Sequence, residues 1–81
     1  MGLKELLETS KNCRQFRKII NNLYSKGFRN YDYAALQLSK AFNFFDKIRG
    51  KVSWKREAEM ESSYFSLENQ METLWIEGYL T

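Results

Sequence analysis

Thiols, imidazoles and converging carboxylates are what a short chain can use for chemistry, and this one has few of them. It contains no histidine, so the commonest general base and the commonest metal ligand are missing together. Its one cysteine, Cys13, has no imidazole to activate it and falls in register with Phe16, Ile20 and Leu23. A buried structural thiol therefore outweighs a reactive or intermolecular one. Glu57, Glu59 and Glu61 alternate along one stretch, and on a helix they fan outward instead of converging as an acid–base pair. Solvated helix surface is the plainer reading of all three. One cysteine without histidine cannot hold zinc, no loop of alternating Asp and Asn suits calcium, and single dispersed glycines make no phosphate loop. No catalytic residue, cofactor or metal site is expected, and the chain reads as a protein that acts by binding.

The elements that would carry a binding surface follow from apolar spacing. The chain has no proline, and its four glycines (Gly2, Gly27, Gly50 and Gly78) leave three long uninterrupted segments. The first runs from about Leu3 to Lys26, with Gly27 as its C′ residue and an apolar stripe of Cys13, Phe16, Ile20 and Leu23, joined by Leu6 and Tyr24. Thr9, Ser10, Lys11 and Asn12 interrupt that stripe with cap-forming residues, which predicts a kink or a fresh helix start at Ser10. The second runs from about Tyr31 to Arg49, where Ala34, Leu38, Ala41, Phe45, Ile48 and Val52 recur at spacings of four and three before Gly50. The third opens at Ser53, a good N-cap, and can run to Tyr79, a length of about 38 Å at 1.5 Å per residue. Its stripe of Met60, Tyr64, Leu67, Met71 and Leu74 matches the seam of the second, while Trp54, Ala58, Phe65 and Ile76 form a separate apolar line well round the helix. Short turns favour antiparallel neighbours. The expected fold is all-α, an antiparallel three-helix bundle with a long C-terminal helix whose end projects beyond shorter partners, formed by residues 1–81 as one helical domain.

Eighty-one residues sit near the lower limit for a self-sufficient core. A lone cysteine excludes an internal disulfide and, with no secretory signal pattern, points to a reducing, cytoplasmic setting. Gly2 satisfies the start of a myristoylation motif, but Leu6 stands where it needs Ser or Thr. No apolar run approaches the roughly 18–20 residues of a membrane span.

Charge is unevenly distributed. Residues 1–56 hold all 13 basic groups and four acids, net +9, whereas residues 57–81 hold six acids and no base, net −6. Lys11, Arg14, Arg17, Lys18, Lys26 and Arg29 crowd the first helix and its exit; Lys47, Arg49, Lys51, Lys55 and Arg56 crowd the second turn. Three explanations compete: the acidic third helix neutralises the basic ones within the fold or across a dimer, the basic surface meets an acidic protein, or it meets nucleic-acid phosphates. A helix-turn-helix fits poorly. Its recognition helix would open with Tyr31, Asp32 and Tyr33 in place of the Arg, Asn, Gln or Ser that read base edges.

Thirteen aromatics exceed what a three-helix core can hold. Phe16, Phe42, Phe45 and Tyr64 belong on core stripes; Trp54, Phe65, Trp75, Ile76 and Tyr79, with Tyr33 and Phe44 on the flank of the second helix, are the expected protein interface. The bland alternative is that these aromatics only shield the bundle ends. In size and texture the chain is similar to small stoichiometric regulators of phages and other mobile elements, such as anti-sigma and anti-restriction proteins. That resemblance implies a non-enzymatic module that binds and regulates or inhibits a larger protein. A nucleic-acid-associated protein using the basic first helix and a homo-oligomeric structural protein are the alternatives. No cofactor is expected, and no membrane partner.

Overall fold

The computed structural model describes residues 2–81. Three helices follow one another: α1 (Leu3–Lys26), α2 (Tyr31–Ile48) and α3 (Trp54–Ile76). They pack as a helical bundle, α1 chiefly on α2, with α1 and α3 touching least. The core is built on the stripes read from spacing: Cys13, Phe16, Ile20 and Leu23 from α1, Ala34, Leu38, Ala41, Phe45 and Ile48 from α2, and Met60, Leu67 and Met71 from α3, with Phe28 from the first turn and Leu80 near the C-terminus added to them. Ala34 and Ala41 are wholly buried, and small residues at these positions let neighbouring helices approach closely. Phe45 bridges the layers, its ring 5.9 Å from Phe16 on α1 and 6.4 Å from Phe42.

The helix starts are set by side chains. Asn30 accepts the Tyr33 N–H at 2.7 Å and Ser53 accepts the Arg56 N–H at 3.2 Å, each satisfying a donor the first turn leaves free. The Glu57 carboxylate reaches back to the Gly50 N–H at 2.8 Å, tying the second turn to α3. Gly27 takes a positive φ of 81° and its N–H closes on the Leu23 carbonyl at 3.0 Å.

Four expectations need correction. There is no break at Ser10: α1 is continuous, because nothing between Leu3 and Lys26 interrupts the backbone bonds and Thr9, Asn12 and Cys13 are buried on one packed side. Leu6 and Tyr24 do not join that packed side and stay exposed. The first helix is not the shorter partner, since α1 has 24 residues and α3 has 23. The molecule extends 48 Å against about 36 Å for its longest helix, so α1 and α3 are staggered and the bundle overhangs at its ends. Finally, α3 stops at Ile76 and does not reach Tyr79. Gly78, at φ 83°, reverses the chain, and the Tyr79 N–H bonds to the Leu74 carbonyl while the Gly78 N–H bonds to that of Trp75. This Schellman closure folds Leu80 into the core and brings the Thr81 carbonyl onto the Tyr31 N–H, where it serves the start of α2. No helix among the described residues is long and apolar enough to cross a membrane.

Candidate functional site

The third helix carries the surface of interest. Its inner side is fixed by Met60, Leu67 and Met71, so positions about half a turn away must face solvent. Ala58, Ser62, Phe65, Asn69, Thr73 and Ile76 occupy that outward line, and all six are exposed. They follow one another at spacings of four and three over about 27 Å. Not one is charged. Phe65 is 44% exposed and Ile76 76%, while Trp54, at the head of the line, is 83% exposed.

Carboxylates border the line on both sides. Glu61, Glu68 and Glu72 lie half-buried on one flank; Glu68 and Glu72 line a groove with Tyr31, Ala35 and Phe42 of α2. The Tyr31 hydroxyl donates to Glu72 at 3.0 Å, and that bond, with the negative charge beside it, raises the phenol's pKa above its ordinary value. Tyr64 is pushed up to about 12, first by burial and then by the neighbouring Glu68 carboxylate. Its ring meets Phe65 edge-on at 5.3 Å and Phe42 at 5.5 Å, so the exposed Phe65 stands on an aromatic base rooted in the core. On the other flank Glu59 lines the groove between α1 and α3, beside Arg17, Asn21, Arg56 and Ser63.

The aromatic residues singled out by sequence do not form one surface. Trp54, Phe65 and Ile76 share the outward line of α3. Trp75 and Tyr79 are exposed at its C-terminal end, where the Trp75 ring lies 5.0 Å from Tyr31. Tyr33 and Phe44 lie elsewhere, half-buried on the flank of α2 away from α3, each under a cation: Arg29 over Tyr33 at 4.6 Å and Lys47 over Phe44 at 5.5 Å. Arg29 holds a left-handed φ of 63° in the turn.

The basic residues divide as well. Lys11, Arg14 and Lys18 follow Leu3 and Leu7 at four- and three-residue spacing along the outward side of α1, all exposed. Arg17 faces the α1–α3 groove, and Lys26 and Arg29 stand at the far end. Sequence reasoning missed Leu3 and Leu7, which are 74% and 63% exposed. Their signal was an i,i+4 spacing out of phase with the core stripe. The outward line of α3 was read from Trp54, Ala58, Phe65 and Ile76, but its uncharged members Ser62, Asn69 and Thr73 were missed, because a search for apolar residues passes over them.

The opposite charges do not meet inside the molecule. The ion pairs among the described residues are Arg49–Asp46 at 3.8 Å and Lys51–Glu5 at 3.7 Å, and neither involves a glutamate of α3. Comparison with protein-family models, with curated proteins and with solved structures finds no match to this chain.

Proposed function

We propose that this protein is a non-enzymatic helical interaction module of the cytoplasm, a stoichiometric regulator or inhibitor that docks onto a larger protein through the outward line of α3. The observation that supports this reading is the run from Ala58 to Ile76, exposed, uncharged and carrying Phe65 and Ile76, on a helix whose inner side is already buried. Interfaces are depleted of charge at their centres and anchored by large apolar side chains inside a polar rim, and the flanking glutamates supply such a rim. Trp54, Trp75 and Tyr79 extend the contact toward the two ends of the helix.

The test is affinity capture from lysate of the source organism, with wild type compared with Phe65→Glu and Ile76→Glu. Both positions are exposed, so circular dichroism of the variants should match the parent while a partner held by wild type is released. Retention of the partner by both variants, with helicity unchanged, overturns the assignment of the docking surface to α3.

A further inference from the structure

We infer that the outward line of α3 is covered, in the free protein, by α1 of a second copy of this chain, laid alongside it. This rests on the reading of α3 as a docking surface and names an occupant for it. The two helices match in length, 24 residues against 23, about 36 Å and 35 Å. They also match in chemistry. The outward side of α1 presents Leu3 and Leu7 and then Lys11, Arg14 and Lys18; that of α3 presents Phe65 and Ile76 between rows of glutamate. An antiparallel approach sets Leu3 and Leu7 near Ile76 and brings the three cations level with Glu61 and Glu68.

Charge argues against the alternative pairing of like surfaces. Two α3 helices face to face would bring five glutamates per copy together against only Lys55 and Arg56 in the first turn, and two α1 helices would oppose their cations. Pairing α1 with α3 brings Lys11, Arg14 and Lys18 to glutamates of α3, which form no ion pair with a base among the described residues. Exposed ion pairs are individually weak, so the apolar contacts of Leu3, Leu7, Phe65 and Ile76 supply the affinity and the charges select the orientation. Because the two surfaces differ, the contact is heterologous. The dimer still has one free surface of each kind, one on each copy, so assembly continues past the dimer as concentration rises. A self-covered α3 is closed to any other partner, which makes self-association a brake on docking.

The experiment is sedimentation equilibrium over a wide concentration range at low and high salt. Wild type is expected to show a weight-average mass that climbs with concentration at low salt. The pairs made with Glu61 and Glu68, at a factor of about two to three each, should weaken association about four- to ninefold once the Debye length falls to about 3 Å at 1 M salt. Two charge-reversed variants complete the test. Lys11→Glu/Arg14→Glu/Lys18→Glu makes the outward side of α1 acidic, and Glu59→Lys/Glu61→Lys/Glu68→Lys places bases level with it on α3; each alone should remain monomeric and helical. Mixed one to one they restore both pairings, and mass should rise again. The inference is overturned if wild type is monomeric throughout, if either variant alone assembles as wild type does, or if the mixture stays monomeric. A monomeric wild type that retards duplex DNA through Lys11, Arg14 and Lys18 overturns it in favour of a phosphate-binding side of α1. A monomeric wild type whose partner capture still fails in Phe65→Glu overturns self-pairing and leaves the docking role of α3 standing.

Discussion

Two aliphatic side chains on α3, nine residues apart, report directly on which way the helix faces. Leu67 is 1% exposed and sits in the core with Met60 and Met71; Ile76 is 76% exposed on the outward line. Leu67→Ala removes three buried carbons and leaves a cavity that close-packed neighbours refill only in part, at a cost of about 3–5 kcal/mol. Ile76→Ala forfeits only the quarter of the residue that is hidden, well under 1 kcal/mol, and recovers a few tenths from the better helix propensity of alanine. For a domain of this size each kcal/mol moves the melting temperature by about 4–8 °C. Leu67→Ala is therefore expected to melt at least about 12 °C below the parent, and Ile76→Ala within a few degrees of it. Thermal melts followed by circular dichroism, checked by the urea midpoint at constant m-value, measure both. Equal losses would show that the Ile76 side of α3 is covered within the monomer, leaving no free surface for a partner or a second copy. Near-equal stability of all three proteins would instead place Leu67 outside the core.

Gly78→Ala tests the C-terminal reversal: an added Cβ meets nothing within 4 Å, so the whole cost is the left-handed φ of 83°, about 1 kcal/mol or about 4–8 °C of melting temperature, with Gly78→Asn losing less. An unchanged melt for Gly78→Ala would mean that the reversal does not hold Leu80 in place. Alkaline pH tests the Tyr64 environment. Its folded pKa is raised from 10.0 to about 12, so its contribution to stability is intact below pH 10 and is lost as pH climbs through about 12. Tyrosinate absorbance in the ultraviolet should show a step near pH 12, and Tyr64→Phe should remove it.

The bundle was legible because its rules are local. Spacings of three and four gave the three core stripes, and proline-free segments punctuated by Gly27 and Gly50 gave the helix limits to within a residue except at the end of α3, which was carried three residues too far. What was not legible depends on contacts between distant segments. The stagger of α1 against α3 leaves Leu6 in solvent although it lies toward the packed side, and periodicity carries no information about stagger. Leu80 carried no signal in the sequence, because the bond that helps hold it in the core joins the Thr81 carbonyl to Tyr31, fifty positions earlier. Gly78 did signal the turn, and extending α3 past it to Tyr79 overrode that signal. Tyr33 and Phe44 were grouped with α3 by composition, although their positions on α2 place them on its opposite flank.

The absence of charge along the outward line of α3 from Ala58 to Ile76 is the observation that the fold alone does not require. An exposed helix face gains solubility and some stability from charged residues at i,i+4 spacing, and six charges are present elsewhere on residues 57–81. Placing one at Ser62, Asn69 or Thr73 would meet no packing obstacle in the monomer, since each is exposed. The constraint appears only when the surface is covered. A charge taken out of water costs several kcal/mol unless a partner of opposite sign is in place, whereas a hydroxyl, an amide or a methyl group is far cheaper to desolvate. Small uncharged residues between Phe65 and Ile76 are thus what a surface needs if it is to be dried and rewetted without losing the monomer. The glutamates at its edges remain hydrated in either state, where they can select a basic occupant at little energetic cost.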